Sequence, residues 1–221
     1  MKKKKYTALI LGSNGLIGSE LLTQLQEKEE YEKVYAISRK PMELAHPKLI
    51  NILADQNNIE DRLMDVDFDH LYICIGTTKK KTPNQEEYFS IDHDYPLSLA
   101  KIAKKRSCYS VAVVSSVGAN ENSSQFYLQT KGKLEQSLIR LSFDKLHIFR
   151  PSLLLGHRDE KRSGEDMGKI FMKIFGIFCI GPLKKFKAIS AKKVSKSMIT
   201  SSLSEDKGVF FHTYKEIIKN Q

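Results

Sequence analysis

Several groups of residues in this 221-residue chain have the types and spacing to do chemistry together. Gly12, Gly15 and Gly18 stand three apart in the run Gly12-Ser13-Asn14-Gly15-Leu16-Ile17-Gly18, between an apolar stretch and an amphipathic one. Glycines there permit a tight turn and let the backbone approach a ligand with no Cβ in the way. The N–H groups and positive dipole end of a helix starting at that turn suit a phosphate or pyrophosphate. The spacing G-x-x-G-x-x-G between strand and helix therefore points to a dinucleotide, although an ordinary strand–helix turn would use glycine too. Further on, Ser38-Arg39-Lys40 follows a second apolar run. An NAD site would place a carboxylate there for the ribose hydroxyls, whereas a hydroxyl and two cations suit a 2′-phosphate. A solvated basic turn is the alternative.

A second constellation could move protons. Tyr127 and Lys131 are one helical turn apart and project from one face, with Leu134, Leu138 and Leu141 continuing the stripe. A lysine in line with an apolar stripe calls for a partner. A nicotinamide ribose together with the phenolic oxygen would supply one. Ser115 and Ser116 lie upstream, at the end of an apolar run. In such a set the serine orients a carbonyl, the tyrosine gives or takes its proton, and the lysine's charge makes the phenol a better acid. Ser116 is the expected orienting hydroxyl, with Ser115 open as the alternative. Tyr127 simply packing beneath a cofactor is the plainer reading of the same residues.

These groups need elements to position them, and the chain offers an alternation. Apolar runs at residues 6–11, 33–38, 49–53, 70–75, 110–115 and 146–150 read as strands. Helical patterns follow residue 16, occupy about 59–64, 86–106 with a possible kink near Pro96, and 126–141. Near-continuous apolar strands alternating with helices indicate an α/β fold, a Rossmann-like doubly wound parallel sheet with helices on both faces. In such sheets ligands sit outside the carboxyl ends of the strands. That singles out Ser38-Arg39-Lys40, Asp55, Gly76-Thr77-Thr78, Ser115-Ser116 and the chain beyond Pro151. No linker or repeat divides the chain, so residues 1–221 read as a single NAD(P)-binding domain, with 156–190 as a small C-terminal, substrate-side extension.

Composition removes other classes. Lys+Arg 36 against Asp+Glu 26 gives a formal net charge of +10, but much of it lies in short lysine runs with no nucleic-acid-binding motif beside them. No specific nucleic acid is expected. Three scattered cysteines and six scattered histidines form neither a disulfide framework nor a metal site. The leading lysines run into a strand rather than a signal-peptide core. The apolar stretch 170–183, interrupted by Lys173, is too short to span a bilayer. A reducing, cytoplasmic setting is expected, and the 170–183 stretch is read as a helix that lids the substrate, pairs with another copy or protein partner, or packs in the core.

Taken in order, G-x-x-G-x-x-G, the strand-end serines, Tyr127-x-x-x-Lys131 and Phe149-Arg150-Pro151 resemble the extended or atypical branch of the short-chain dehydrogenase/reductase superfamily. The runs Cys74-Ile75-Gly76-Thr77-Thr78, Asp92-His93-Asp94-Tyr95, Ser115-Ser116-Val117-Gly118-Ala119, Tyr127-Leu128-Gln129-Thr130-Lys131-Gly132 and Phe149-Arg150-Pro151 are similar, more narrowly, to the oxidoreductase-like family of the Tat-interactive protein. The resemblance implies a Rossmann-type fold binding NADPH or NADP+ in preference to NADH. It places residues 12–18 on the pyrophosphate, Arg39 and Lys40 on the 2′-phosphate, Asp55 near the adenine, and Ile75, Gly76 and Thr77 along the adenosine side. Tyr127 and Lys131 would meet the nicotinamide ribose, and Leu154 and Arg162 the nicotinamide end. Gly76-Thr77-Thr78 replaces the asparagine-rich turn of typical members, so a Ser-Asn-Tyr-Lys relay is not implied. The expected function is hydride transfer to or from a small carbonyl or alcohol. The alternative is an NADPH-binding regulatory or partner-binding module with little turnover.

Overall fold

The computed structural model describes residues 4–155 and 187–220. Its order is β1 (Tyr6–Leu11), α1 (Leu16–Glu27), β2 (Tyr31–Ser38), β3 (Leu49–Leu53), α2 (Ile59–Arg62), β4 (His70–Ile73) and α3 (Gln85–Phe89). A π-helical turn (Ser90–Asp94) leads into α4 (Tyr95–Lys105), then β5 (Ser110–Val114), α5 (Phe126–Arg140), β6 (Lys145–Phe149) and β7 (Leu154–Leu155). The later part gives β8 (Ile189–Ser190), α6 (Ala191–Leu203), β9 (Gly208–His212) and α7 (Tyr214–Lys219).

The main sheet runs β3-β2-β1-β4-β5-β6-β9, with every neighbouring pair parallel. β7 and β8 form a separate parallel pair. Side chains alternate across a strand, so β1 sends Leu9 and Leu11 to one face and Ala8 and Ile10 to the other. The first face packs under α4 and α5 through Leu99, Ala103, Leu134 and Leu138. The second packs under α1 and α6 through Leu21, Leu25, Val194 and Met198. Both faces being covered explains the near-continuous apolar strands. The strand order reverses between β1 and β4, and the crevice at their carboxyl ends is where such a sheet takes a ligand.

Three local departures from the sequence reading have physical causes. β4 stops at Ile73 rather than 75, because Cys74 and Ile75 pass against the Gly12 turn. The helix expected over 86–106 is broken by the π-helical turn, and Pro96 falls in the first turn of α4, where its missing N–H costs no bond, rather than at a mid-helix kink. Regular structure also resumes after the 156–190 extension, where the sequence reading assigned no strand or helix. Gly208–His212 supplies a seventh parallel strand, and α6 joins α1 in covering one face of the sheet. Most of the 156–190 extension, including Arg162 and the 170–183 stretch, lies outside the described residues.

Candidate active site

The glycine turn is built as the spacing expects. Gly12 has φ +91, and a Cβ on it would lie 2.6 Å from the Ile75 nitrogen. A Cβ on Gly18 would sit 2.1 Å from the Gly12 carbonyl oxygen, so α1 can begin against β1 only with glycine there. The Gly15 N–H donates to the Gly12 carbonyl at 3.0 Å and closes the turn. Gly15 is the N-cap of α1 and contributes no side chain to its first N–H groups. Asn14 and Leu16 are at the open side of the turn, while Ser13 and Ile17 are buried, with the Ser13 hydroxyl directed at the Met42 sulfur, 3.8 Å away.

At the ends of β2 and β3 a cavity of about 240 Å³ is lined by Arg39, Leu53, Ala54, Asp55, Asn58 and Arg62. Arg39 and Asp55 were expected here; Asn58 and Arg62 were not, because nothing in a short polar helix tells which side its residues take. Lys40 is exposed beside Arg39. Ser38 differs from its expected role. It is buried, its hydroxyl donates to the Lys40 carbonyl at 2.6 Å and it receives the Asn51 amide at 2.8 Å. Its hydrogen bonds are thus spent on shaping the turn. Burial pushes the Tyr95 phenol up to about 12, Asp55 adds to the rise and Arg39 opposes it. The Tyr95 hydroxyl is buried with no hydrogen-bond partner among the described residues.

The proton-transfer set is brought to the same edge of the sheet, with an addition. Lys131 is buried on α5, and its Nζ forms an ion pair with Oδ1 of Asp92 at 2.8 Å. Asp92 is fully buried, and its Oδ2 accepts the Thr77 N–H at 2.7 Å. Gly76 stands over the pair: a Cβ there would be 3.6 Å from Nζ and 3.4 Å from Oδ1. Burial works against the Lys131 charge, but Asp92 and then Tyr127 outweigh it, and the ammonium is held above the usual lysine range. Lys131 therefore has the partner its position demanded, and that partner is a carboxylate of the chain itself. Its charge acts on Tyr127 as part of a pair with Asp92, a partner the sequence reading did not name.

The two serines separate. Ser115 is buried and its hydroxyl donates to Oε1 of Glu135; Glu135, also buried, accepts the Arg150 Nε at 2.9 Å and pairs with Arg150 Nη2. Ser116 makes only a 3.2 Å bond to the Val117 carbonyl. Tyr127 is half-buried, and Tyr127, Lys131 and Glu135 follow at i, i+4 and i+8 on one helix face. The Glu135 step was there to be read, since a carboxylate inside an apolar stripe needs the same explanation as a lysine. Asp92 carried no comparable signal, because the π-helical turn that aims it inward shifts the helical register. Leu154 is half-buried in β7, hydrogen-bonded beside Ile189.

Residues 8–137 match the NAD dependent epimerase/dehydratase family. The chain belongs to that family. Among curated relatives, a protein of the yeast Kluyveromyces lactis called Protein FMP52, mitochondrial, is 38% identical over 173 residues, covering 77% of each chain. Rat Protein HTATIP2 is 32% identical over 183 residues, covering 77% of this chain and 72% of its own. Within the epimerase/dehydratase family the protein is thus an atypical short-chain dehydrogenase/reductase similar to HTATIP2, as its motifs suggested. Solved structures confirm the fold. WbmH of Bordetella bronchiseptica, in complex with NAD+, aligns with a TM-score of 0.72 at 16% identity, over 95% of this chain and 76% of its own. The ADP-L-glycero-D-manno-heptose-6-epimerase of Helicobacter pylori aligns at 0.70 and 20% identity, over 99% and 82%.

The family supports a nicotinamide dinucleotide as cofactor. The residues fit one: the turn is a cradle that a Cβ would fill, α1 opens onto it without a side-chain cap, and a cavity lined by Arg39 and Arg62 lies at the ends of β2 and β3. One expectation is overturned. The cytoplasmic setting is contradicted by the yeast relatives, which carry "mitochondrial" in their names. Cysteine usage and the lack of a long apolar span separate reducing aqueous compartments from oxidising ones and from membranes, but not from one another. Among the described residues no helix is long and apolar enough to cross a membrane, and no cluster of potential metal ligands occurs.

Proposed function

We propose that the protein is an NADP-dependent oxidoreductase acting on a small carbonyl or alcohol, with residues 12–18 on the pyrophosphate, Arg39 and Lys40 on the 2′-phosphate, and Asp55, Ile75, Gly76 and Thr77 along the adenosine. The observation that carries the cofactor choice is the cavity at the ends of β2 and β3. It presents two guanidinium groups, and the residue after β2 is Arg39, where an NAD site would place an acid. Arg62 joins Arg39 in this role. Bound there, the cofactor supplies or accepts the hydride. Tyr127 then delivers or removes the proton at the substrate oxygen. Lys131 anchors that end of the cleft, held by Asp92. Ser116 rather than Ser115 orients the carbonyl, because the Ser115 proton is already given to Glu135.

A panel of small aldehydes and ketones with NADPH tests the reading. Tyr127→Phe should abolish turnover and leave NADPH affinity within about threefold, since only the acidic hydroxyl is lost. Turnover that survives this substitution refutes the assigned proton donor. A second reading, a nucleotide-binding regulatory module with little turnover, is favoured by Ser115 being tied into the Glu135–Arg150 pair. Binding of NADPH with no turnover of any carbonyl tested would favour it.

A further inference from the structure

The pairing of Asp92 with Lys131 was not expected from the motifs that contain them, and it touches two parts of the site. On the N-terminal side of α4 the π-helical turn inserts Asp92 fully into the protein, between the turn that follows β4 and the face of α5. Both of its neighbours there are donors: the Thr77 N–H and the Lys131 ammonium. A carboxylate accepts from both. An asparagine of nearly the same shape would have to point its NH2 at one of them, donor against donor. The chemistry of the pocket therefore calls for an acid and not merely for a polar residue. Stability alone is a poor reason for such a pair, because a packed apolar pair of similar volume generally does as well as buried opposite charges.

We infer that Asp92 is a positioning residue whose carboxylate, fixed by the Thr77 amide, holds the Lys131 ammonium in place and charged at the cleft edge beneath Gly76, ready for the ribose hydroxyls of a nicotinamide nucleotide. This rests on the cofactor reading above for its ligand, but not for the pair itself. Gly76 completes the device: it is exposed, and a side chain there would stand over the pair. The other groups facing Lys131 do not replace Asp92. Glu135 shares its charge with Arg150, and Tyr127 is a phenol. The Cys74 thiol, pushed up to about 12 by burial and opposed by Lys131, stays neutral. Without Asp92 the largest influence opposing burial is gone, Tyr127 and Glu135 oppose it less, and the lysine's proton leaves at lower pH.

The test uses the full chain, NADP+ as probe, and two readouts. In the wild type, NADP+ affinity should vary less than about threefold from pH 6.5 to 9, since the lysine stays charged throughout. In Asp92→Asn it should be weaker and should fall by about tenfold or more as pH rises across that range, one unit of proton loss being one decade of binding. A variant that is weaker by a constant factor at every pH would show a merely structural role and overturn the inference. Independently, 15N-lysine spectra of the wild type should show a slowly exchanging ammonium that disappears in Lys131→Arg. This needs no Asp92 variant to fold, and a Lys131 ammonium exchanging like a surface lysine overturns the inference outright. If the wild type binds no nicotinamide nucleotide, the cofactor reading and the nucleotide role of Asp92 fall together. The ammonium signal, and its loss in Asp92→Asn, then still decides whether the carboxylate holds the lysine.

Discussion

The cavity at the ends of β2 and β3, proposed above for the adenosine, gives a sharp test of cofactor choice. Arg39 and Arg62 line one cavity, and both are exposed, so each contact with a 2′-phosphate would be partly screened. A charge-assisted hydrogen bond contributes about 1.5–3 kcal/mol, and exposure argues for the lower end. About 1.5 kcal/mol is roughly a tenfold change in affinity. Arg39→Ala should therefore weaken NADPH binding about tenfold while NADH binding changes less than about threefold. Arg62→Ala should act in the same direction, and the double variant should bring the two cofactors close to parity. Asp55 sits in the same cavity and repels a phosphate, which keeps the net preference below what two free arginines would give. Calorimetric titration of both cofactors against the wild type and three variants, at low and high salt, measures this directly. The NADPH affinity should be the more salt-sensitive of the two. Equal affinities in the wild type, or an Arg39→Ala variant that loses NADH and NADPH equally, would refute the reasoning.

Other parts of the structure yield further expectations. Gly18→Ala drives a Cβ to 2.1 Å from the Gly12 carbonyl, so the turn must open; dinucleotide binding should drop by more than about tenfold, and an unchanged affinity would show that the turn does not form the cradle. Arg150→Leu should cost about 3–5 kcal/mol in denaturant unfolding, because it strands the buried Glu135, whereas Glu135→Leu leaves a half-exposed arginine that can turn to water and should cost clearly less; the reverse order would be inconsistent with the pair as described. His70, His147 and His212 are buried and held neutral, burial pushing them down to about 3, about 3 and about 4, with nearby Lys145 and His212 adding to the effect on His147. An unfolded histidine takes its proton near 6.5, so their stabilising contribution is full above that value and is lost as pH falls below it, at up to about 1.4 kcal/mol per unit for each. The urea midpoint should fall well before pH 5, and a midpoint constant from pH 7.5 to 5 would rule this out.

Much of this was legible in the sequence because it is written in backbone terms. The glycine spacing fixes where β1 can hand over to α1, and alternating apolar runs with helices between them leave little choice but a parallel sheet. What stayed hidden depends on side chains meeting across elements. Asp92 sits in a stretch that reads as one helix, and only the π-helical turn rotates it toward Lys131. Ser38 looked like a phosphate ligand by position, yet Asn51 from the neighbouring strand claims it. Arg62 looked like one charge among many, and only the fold of α2 sets it opposite Arg39. The C-terminal strand was missed although Val209-Phe210-Phe211 is a short apolar run, because the run is brief and stands alone after residues 156–190, and the exposure of Val209 and Phe211 marks it as an edge. An edge strand is flanked on one side only and has less need of a long apolar run.

The charges divide the cleft into two halves with different work. Among the described residues, the cavity proposed for the adenosine is lined by Arg39 and Arg62 against one carboxylate, Asp55, with Lys40 exposed next in sequence to Arg39, and the surplus is positive. Near α5, among the described residues, Lys131 is paired with Asp92 and Arg150 with Glu135. Attraction for a highly charged dinucleotide is thus concentrated where it does not change during a redox cycle, on the phosphates. The end that would face the reacting ring carries paired charges and so discriminates little between a cationic and a neutral ring. A bare lysine beside that ring would resist the oxidised, positively charged form. Pairing it with Asp92 removes much of that bias while keeping an ammonium to grip hydroxyls. A module that only sensed the reduced cofactor would gain from the bias; an enzyme that must hold both forms in turn would not. The Asp92 carboxylate therefore weighs toward the oxidoreductase reading, and against the pure sensor, on electrostatic grounds independent of any motif.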